Sequence, residues 1–358
     1  MADHPTIWPL LPHTEAKHSI LRGYLGAWFP KLAWKGRLLF IDGFAGPGEY
    51  SKGEPGSPII ALRAALDHKA DLSNCELVFV FIEENASRFA NLTELIDAIE
   101  LPPNIDVQMK QAAFADIIGD ALDDLERSGA PALVMVDPFG FEGMPMVLLK
   151  RIAGHQRSEL LISFMYESVN RWLSQPQLAS GFDELFGIHE WRKALNLASP
   201  RERLDFLHDL YVTQLKDAGM TYVHSFLMLD SGNRPEYFLI FATKNIDGLK
   251  AMKRAMWRVA PSGNLQFSDA TNRDQMTLFA PTPDYAQLKR QIIGHFGKGS
   301  VVSVEGIELF VVTETAFLDS HYKRAILSPM EKNQELEILE TSRQRKGNYP
   351  PGTILRFL

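Results

Sequence analysis

The sequence predicts an α/β protein built on a doubly wound, mostly parallel sheet, and three observations carry that prediction. Apolar runs of strand length recur between residues 37 and 165, spaced widely enough for a helix between most of them. The first, Arg37-Leu38-Leu39-Phe40-Ile41-Asp42, ends on an acid and enters a loop carrying Gly43, Gly46 and Gly48. A later one, Pro131 to Val136, runs into the corner Asp137-Pro138-Phe139-Gly140-Phe141. In an open sheet of this kind the ligand sits at the carboxyl edge of the strands, where both acids fall.

The elements follow in order. Thr14 reads as the N-cap of an amphipathic helix with Ile20, Leu21, Tyr24, Leu25 and Trp28 on its apolar side, and Pro30 ends it. Strand 37–42 comes next. The turn Glu54-Pro55-Gly56-Ser57-Pro58 places Ser57 to cap a helix to about 69. Strand 76–82 ends on Glu83-Glu84. Helix 86–99, strand 106–110, helix 114–127 and strands 132–136 and 159–165 continue the alternation. Residues 166–200 break it. Trp172, Phe182, Phe186 and Trp191 among prolines and glycines predict a helical insertion over the carboxyl edge, either a lid or a packing extension. A helix at 201–218 leads to strands 222–229 and 236–243. The turn signal Asp230-Ser231-Gly232-Asn233 makes them a hairpin, an antiparallel close to the sheet.

The first domain is therefore 1–265. Residues 260–283 are rich in Pro, Ser, Asn and Asp, and 266–283 is read as a linker. In 284–358, a helix at 284–296, the segment Ser300–Val304 and a helical stretch with Leu318, Tyr322, Ile326 and Leu327 precede a hairpin. Its tip is Ser342-Arg343-Gln344-Arg345-Lys346-Gly347, and the whole predicts a winged-helix-like domain.

Bulk properties narrow the function. The 358 residues suggest about two domains, and 46% hydrophobic with 23% charged residues is ordinary for a soluble protein. The single cysteine, Cys75, excludes a disulfide framework and a cysteine zinc site. No apolar stretch is long enough to span a bilayer and the N-terminus does not read as a signal peptide, so a cytoplasmic enzyme is expected. The net charge of −7 is uneven. Residues 1–150 carry 12 Lys/Arg against 21 Asp/Glu, and residues 151–358 carry 25 against 23. That excludes a bulk nucleic-acid binder but leaves room for basic patches in the second half.

The glycine loop does not spell G-x-G-x-x-G, which argues against a dinucleotide oxidoreductase. An acid ahead of the glycines suits an amino group or ribose hydroxyls and repels phosphate. This points to S-adenosylmethionine, cationic and free of phosphate. Asp42, Gly43, Phe44, Ala45, Gly46 and Gly48 then form the cofactor loop, with Asp42 toward the methionine amino group. Glu83, at the end of the next strand, suits the ribose hydroxyls, with Glu84 as its alternative. Asp116 is a candidate for the adenine amine, against the plainer role of a solvated helix acid. Asp137 is the catalytic candidate. Its carboxylate and the carbonyl of Pro138 suit hydrogen bonds from a target amine, aiming the nitrogen lone pair at the methyl group. Phe139 or Phe141 is placed to stack on a base, which in a duplex must first be flipped out; core packing is the competing role for both. Tyr166-Glu167 and Asn170-Arg171 are further candidates for the target pocket.

His13…Lys17-His18, the Asp42–Gly48 loop and Pro55-Gly56-Ser57-Pro58, in that order, resemble the three-Cys-motif partner protein family over about the first sixty residues, and more loosely over the whole chain. The same stretch is similar to the RlmJ-type rRNA adenine-N6 methyltransferases. That resemblance implies a Rossmann-like class I methyltransferase sheet with S-adenosylmethionine as cofactor. It also implies that Lys17 and His18 face the cofactor or the target. The corner Asp137-Pro138-Phe139-Gly140 departs from the Asp-Pro-Pro-Tyr of the RlmJ type and looks like that of the tRNA guanine-N2 dimethyltransferases. The expectation is methylation of an exocyclic nucleobase amine in RNA or DNA, adenine or guanine being open. The competing expectation is a catalytically silent methyltransferase-like partner of a neighbouring three-cysteine protein.

Overall fold

The structure is a computed structural model that describes residues 5–261, 263–270 and 283–358. The chain divides into two compact units, residues 1–255 with 266–272 and residues 256–265 with 273–358.

The first unit opens with helix α1 (Pro12–Leu32), whose N-cap is Leu11 with Pro12 in the first turn. Thr14 therefore lies inside the helix, not at its cap. Pro30 also lies within it, in the last turn. A proline cannot donate to the carbonyl four residues back, and here that carbonyl, Gly26 O, takes the His68 imidazole instead at 3.1 Å. Strand β1 (Arg37–Asp42) follows, then α2 (Ser57–Leu66), β2 (Glu76–Ile82), α3 (Ala86–Asp97), β3 (Ile105–Lys110), α4 (Phe114–Ser128) and β4 (Ala132–Val136). Gly56 caps α2, so Ser57 is its first residue, not its cap. Helix α5 (Met146–Gly154), which the sequence left unassigned, carries the chain to β5 (Ser158–Phe164). Next come α6 (Tyr166–Trp172), α7 (Ala179–Phe186), α8 (Pro200–Asp217), the hairpin β6 (Tyr222–Leu229) and β7 (Pro235–Thr243), and α9 (Ile246–Val259), of which the residues from Met256 belong to the second unit.

One more short strand, β8 (Gln266–Ser268), pairs parallel with β6. The expected linker thus begins with a strand of the sheet, and most of its remainder, 271–282, lies outside the described residues. The eight strands run in the order β3-β2-β1-β4-β5-β7-β6-β8, with β7 antiparallel to both neighbours. This is the Rossmann-like methyltransferase sheet that the sequence predicts. The reversal of strand order falls at β1/β4, the switch point where such sheets open a crevice.

Strands β1, β2, β4 and β5 are buried along almost their whole length, as expected of parallel strands covered on both faces. The insertion after β5 is helical as predicted, but Phe182, Phe186 and Trp191 are core residues beside α5 and α8. These three rings act in packing, whereas Trp172 of the same segment is 42% exposed. On the other face, buried Glu159 of β5 accepts from the Tyr24 hydroxyl at 2.5 Å, the Trp28 indole at 2.9 Å and the Thr243 hydroxyl at 2.7 Å. That network ties α1 to the sheet.

The second unit contains α10 (Tyr285–Phe296), β9 (Val301–Ser303), α11 (Val304–Glu314), a helical turn at Lys323–Leu327 running into α12 (Ser328–Lys332), and the hairpin β10 (Leu336–Glu340) and β11 (Ile354–Phe357). Its three strands form an antiparallel sheet in the order β10-β11-β9. A small antiparallel sheet with helices is present where the sequence signals one, and α11 is an element that the sequence did not signal. At the hairpin tip, Arg343 is not displayed to solvent. Its guanidinium grips Glu331 at 2.8 and 2.6 Å, and Tyr349 donates to the same carboxylate at 2.8 Å. Arg345 and Lys346 are exposed.

Candidate active site

The loop after β1 is held by its neighbours on both sides. Gly43 N–H donates to Met135 O of β4 at 2.9 Å, and Ala45 N–H to Ile82 O of β2 at 2.9 Å. Gly46 N–H donates to Glu83 Oε2 at 2.9 Å, while Glu83 Oε1 accepts from Asn85 N–H at 2.8 Å. Two of the glycines serve packing rather than access. A Cβ on Gly43 would lie 2.4 Å from the Phe114 ring, and one on Gly48 would lie 2.7 Å from Leu92 Cδ1. A Cβ on Gly46 would meet the Trp8 ring at 3.9 Å, an ordinary contact. Gly46 and Gly48 hold φ of +65° and +85°, which a side chain would strain.

Above this loop lies a cleft of about 310 Å³. Its walls come from α1 and the segment before it (Trp8, His13, Thr14, Lys17), the β1 loop (Phe44 to Tyr50), the β4 corner (Asp137, Pro138, Phe139) and the start of β7 (Glu236, Tyr237). The cleft thus brings together Lys17, Phe44, Ala45, Gly46, Gly48, Asp137, Pro138 and Phe139. Asp42 lies fully buried beneath it, its Oδ1 accepting from Phe44 N–H at 3.2 Å. Its Oδ2 is buried and has no hydrogen-bond partner.

Other predicted residues stand elsewhere. Glu83 is buried and organises the loop through its two backbone contacts, outside the cleft wall. Gly43 packs below. His18 is buried against Tyr50, with ring centroids 5.6 Å apart. Asp116 is exposed on the first turn of α4. Phe141 stacks on Phe182 at 4.5 Å within the core, so of the two candidate stacking rings only Phe139, 52% exposed, reaches the cleft. Tyr166, Glu167, Asn170 and Arg171 line a second cleft of about 590 Å³ with Asp230, Arg234 and Glu236. Glu236 is common to both clefts.

The electrostatics set the two strand-end acids apart. Burial drives the Asp42 carboxyl up to about 7, against the opposing pull of Ser57 and the Phe44 N–H. Burial also acts on Asp137, but there the Lys17 ammonium wins and holds the carboxyl below its ordinary value. Lys17 Nζ and Asp137 Oδ2 form a direct ion pair. Burial and the adjacent Lys17 push His18 down to about 3, so it is neutral at physiological pH.

The residues fit S-adenosylmethionine on three counts. A buried carboxylate oxygen without a partner underlies the loop. Gly46 brings backbone to the cleft wall. The cleft wall holds Glu49, Asp137 and Glu236 against Lys17, a balance that suits a cation and disfavours a pyrophosphate. Sequence reasoning did not single out Glu49, Tyr50, Glu236 or Tyr237. No motif marks them, and the sheet alone brings them together.

No protein-family model matches the chain, and no curated protein matches it. Solved structures do. Trm1 from Pyrococcus horikoshii, in complex with S-adenosyl-L-methionine, aligns over 99% of this chain and 92% of its own at 11% identity and a TM-score of 0.40. The cyclopropane synthase MmaA2 from Mycobacterium tuberculosis aligns over 65% and 68% at 11% identity and 0.26. A Porphyromonas gingivalis W83 protein, provisionally designated a methyltransferase, aligns over 58% of this chain at 12% identity and 0.27, and the chain spans 37% of that protein. At these values the likenesses do not bear on chemistry.

Proposed function

We propose that this protein is an S-adenosylmethionine-dependent methyltransferase acting on an exocyclic nucleobase amine of RNA or DNA. One observation carries the reading: the cleft at the β1/β4 switch point joins the glycine loop over buried Asp42 to the Asp137-Pro138-Phe139 corner. When bound, the cofactor supplies an electrophilic methyl group. Phe44, Ala45 and Gly46 would hold it, with the Asp42 carboxylate acting on its positive charge from beneath the loop. Asp137 Oδ1 and the Pro138 carbonyl accept from the target amine, while Lys17 fixes the Asp137 carboxylate through Oδ2. Phe139 stands at the cleft mouth, where the Trp8 ring and the Arg88 guanidinium pack on it at 4.9 and 4.7 Å. Pro138 and Phe139 thereby position the acceptor rather than react with it.

A second reading is also favoured by a specific feature. The Lys17–Asp137 pair occupies part of the carboxylate the amine requires, as suits a methyltransferase-like partner protein that no longer turns over. Transfer of tritium from labelled cofactor to total RNA and DNA separates the two. The enzyme reading expects labelled nucleic acid, lost at least 100-fold in Asp137→Asn with cofactor affinity retained. Cofactor binding with no transfer to either nucleic acid would leave the partner reading.

A further inference from the structure

His13 enters the cleft from the second residue of α1, and its surroundings fix it tightly. Its Nδ1 lies 2.7 Å from Asp269 Oδ2, a contact between residues 256 apart in sequence. Both side chains are 10% exposed. Tyr237 packs edge-on against the imidazole at 5.6 Å, and its hydroxyl donates to the His13 carbonyl at 3.3 Å. Asp269 is itself anchored, its N–H donating to Leu229 O at the end of β6 at 3.2 Å. A carboxylate at Nδ1 makes that nitrogen the protonated one in the neutral ring, which leaves the lone pair on Nε2. Nε2 has no hydrogen-bond partner among the described residues, and the imidazole lines the same cleft as Asp137.

Methylating a neutral amine creates one surplus proton. The N–C bond forms, the C–S bond breaks with its electron pair staying on sulfur, and an N–H bond must break. Asp137 is a poor destination, because Lys17 holds its carboxyl below the ordinary value. We propose that His13, oriented by Asp269, is the proton acceptor of the reaction: Nε2 takes the amine proton, Asp269 stabilises the imidazolium, and the proton passes to water at the cleft mouth. This rests on the methyltransferase reading above. The logic is that of a carboxylate-oriented imidazole base. The free lone pairs of Asp269 reinforce it, since Oδ1 is buried and makes no hydrogen bond. The other groups facing the ring are Glu236 and Tyr237 from β7, Lys17 from its own helix, and Asp137 across the cleft.

The deciding variant is His13→Asn. Its amide keeps a donor for Asp269 but has no atom in place of Nε2, so a purely structural role predicts near wild-type behaviour. The proposal predicts turnover lower by about 100-fold, with unchanged KM and unchanged S-adenosylhomocysteine affinity by calorimetry. Asp269→Asn should shift the acid limb of the pH–rate profile to lower pH. NMR titration of the His13 ring in the cofactor-free protein should move the same way. Full turnover by folded His13→Asn, or an unmoved ring titration in Asp269→Asn, overturns the proposal while leaving the methyltransferase reading standing. A wild-type protein that does not bind S-adenosylhomocysteine sinks both.

Discussion

Asp42 and Asp137 end adjacent strands, yet their surroundings push them in opposite directions. Asp42 is buried with one oxygen unpartnered and titrates near 7; Asp137 is neutralised by Lys17 and stays ionised. A raised folded-state value means that the Asp42 contribution to stability is fully present below the unfolded value of about 4 and is lost as pH rises through about 7. The cofactor-free protein should therefore be less stable at pH 8 than at pH 5 by an amount that Asp42→Asn removes, on the order of 3 kcal/mol at most. A cation seated on Asp42 favours its ionised form, so binding below about pH 7 should release a proton, visible as a buffer-dependent calorimetric enthalpy and absent in Asp42→Asn. Asp137 calls for a different variant. Asp137→Ala would leave Lys17 almost buried and unpaired, at about 3–5 kcal/mol. Asp137→Asn keeps an acceptor for Lys17 though not the charge, so it should cost less stability than Asp137→Ala while turnover falls, and wild-type turnover in folded Asp137→Asn would count against a catalytic role.

At the scale of elements, the strands were legible because parallel strands covered on both faces must be apolar in their interiors, and 38–41, 77–82 and 132–136 are. Helix α5 was not. Its Met146-Val147-Leu148-Leu149 start satisfies a buried strand as well as a buried helix, and periodicity cannot separate them over so few residues. Strand β8 is three residues in a polar stretch and exists through its pairing with β6, information no local pattern holds. The same limit hid His13–Asp269 and Lys17–Asp137, which join elements 256 and 120 residues apart. Glu159 illustrates an element held by chemistry as well as packing. Glu159→Ala would strand the Tyr24, Trp28 and Thr243 donors, and unfolding experiments should show a loss of about 3 kcal/mol or more; a loss below 1 kcal/mol would mean that water replaces the carboxylate. In the second unit, Arg343 braces the hairpin through Glu331. Arg343→Ala should lower the melting temperature, whereas Arg345→Ala with Lys346→Ala should leave it unchanged. If the tip contacts phosphates, that double variant flattens the salt dependence of nucleic-acid binding by roughly two units; an unchanged slope would assign the module to a protein partner.

At the scale of the whole molecule, the switch point of one sheet gathers a buried acid, a cleft-lining glycine, a lysine-paired carboxylate and an aspartate-oriented histidine around a single cleft. Among the described residues the acids of that cleft wall, Glu49, Asp137 and Glu236, outnumber its one lysine, while the Arg88 guanidinium stands behind the wall on the Trp8 and Phe139 rings at 5.1 and 4.7 Å. On the proposed reading, that balance of charge favours a sulfonium with an ammonium group over a pyrophosphate. The central claim is therefore cofactor identity. Titrating the protein in a calorimeter with S-adenosylmethionine and, separately, with NAD tests it most directly. The account predicts saturable one-to-one binding of S-adenosylmethionine, weakened at least tenfold in Asp42→Ala, and no heat from NAD. Binding of NAD, or binding of neither, would contradict it.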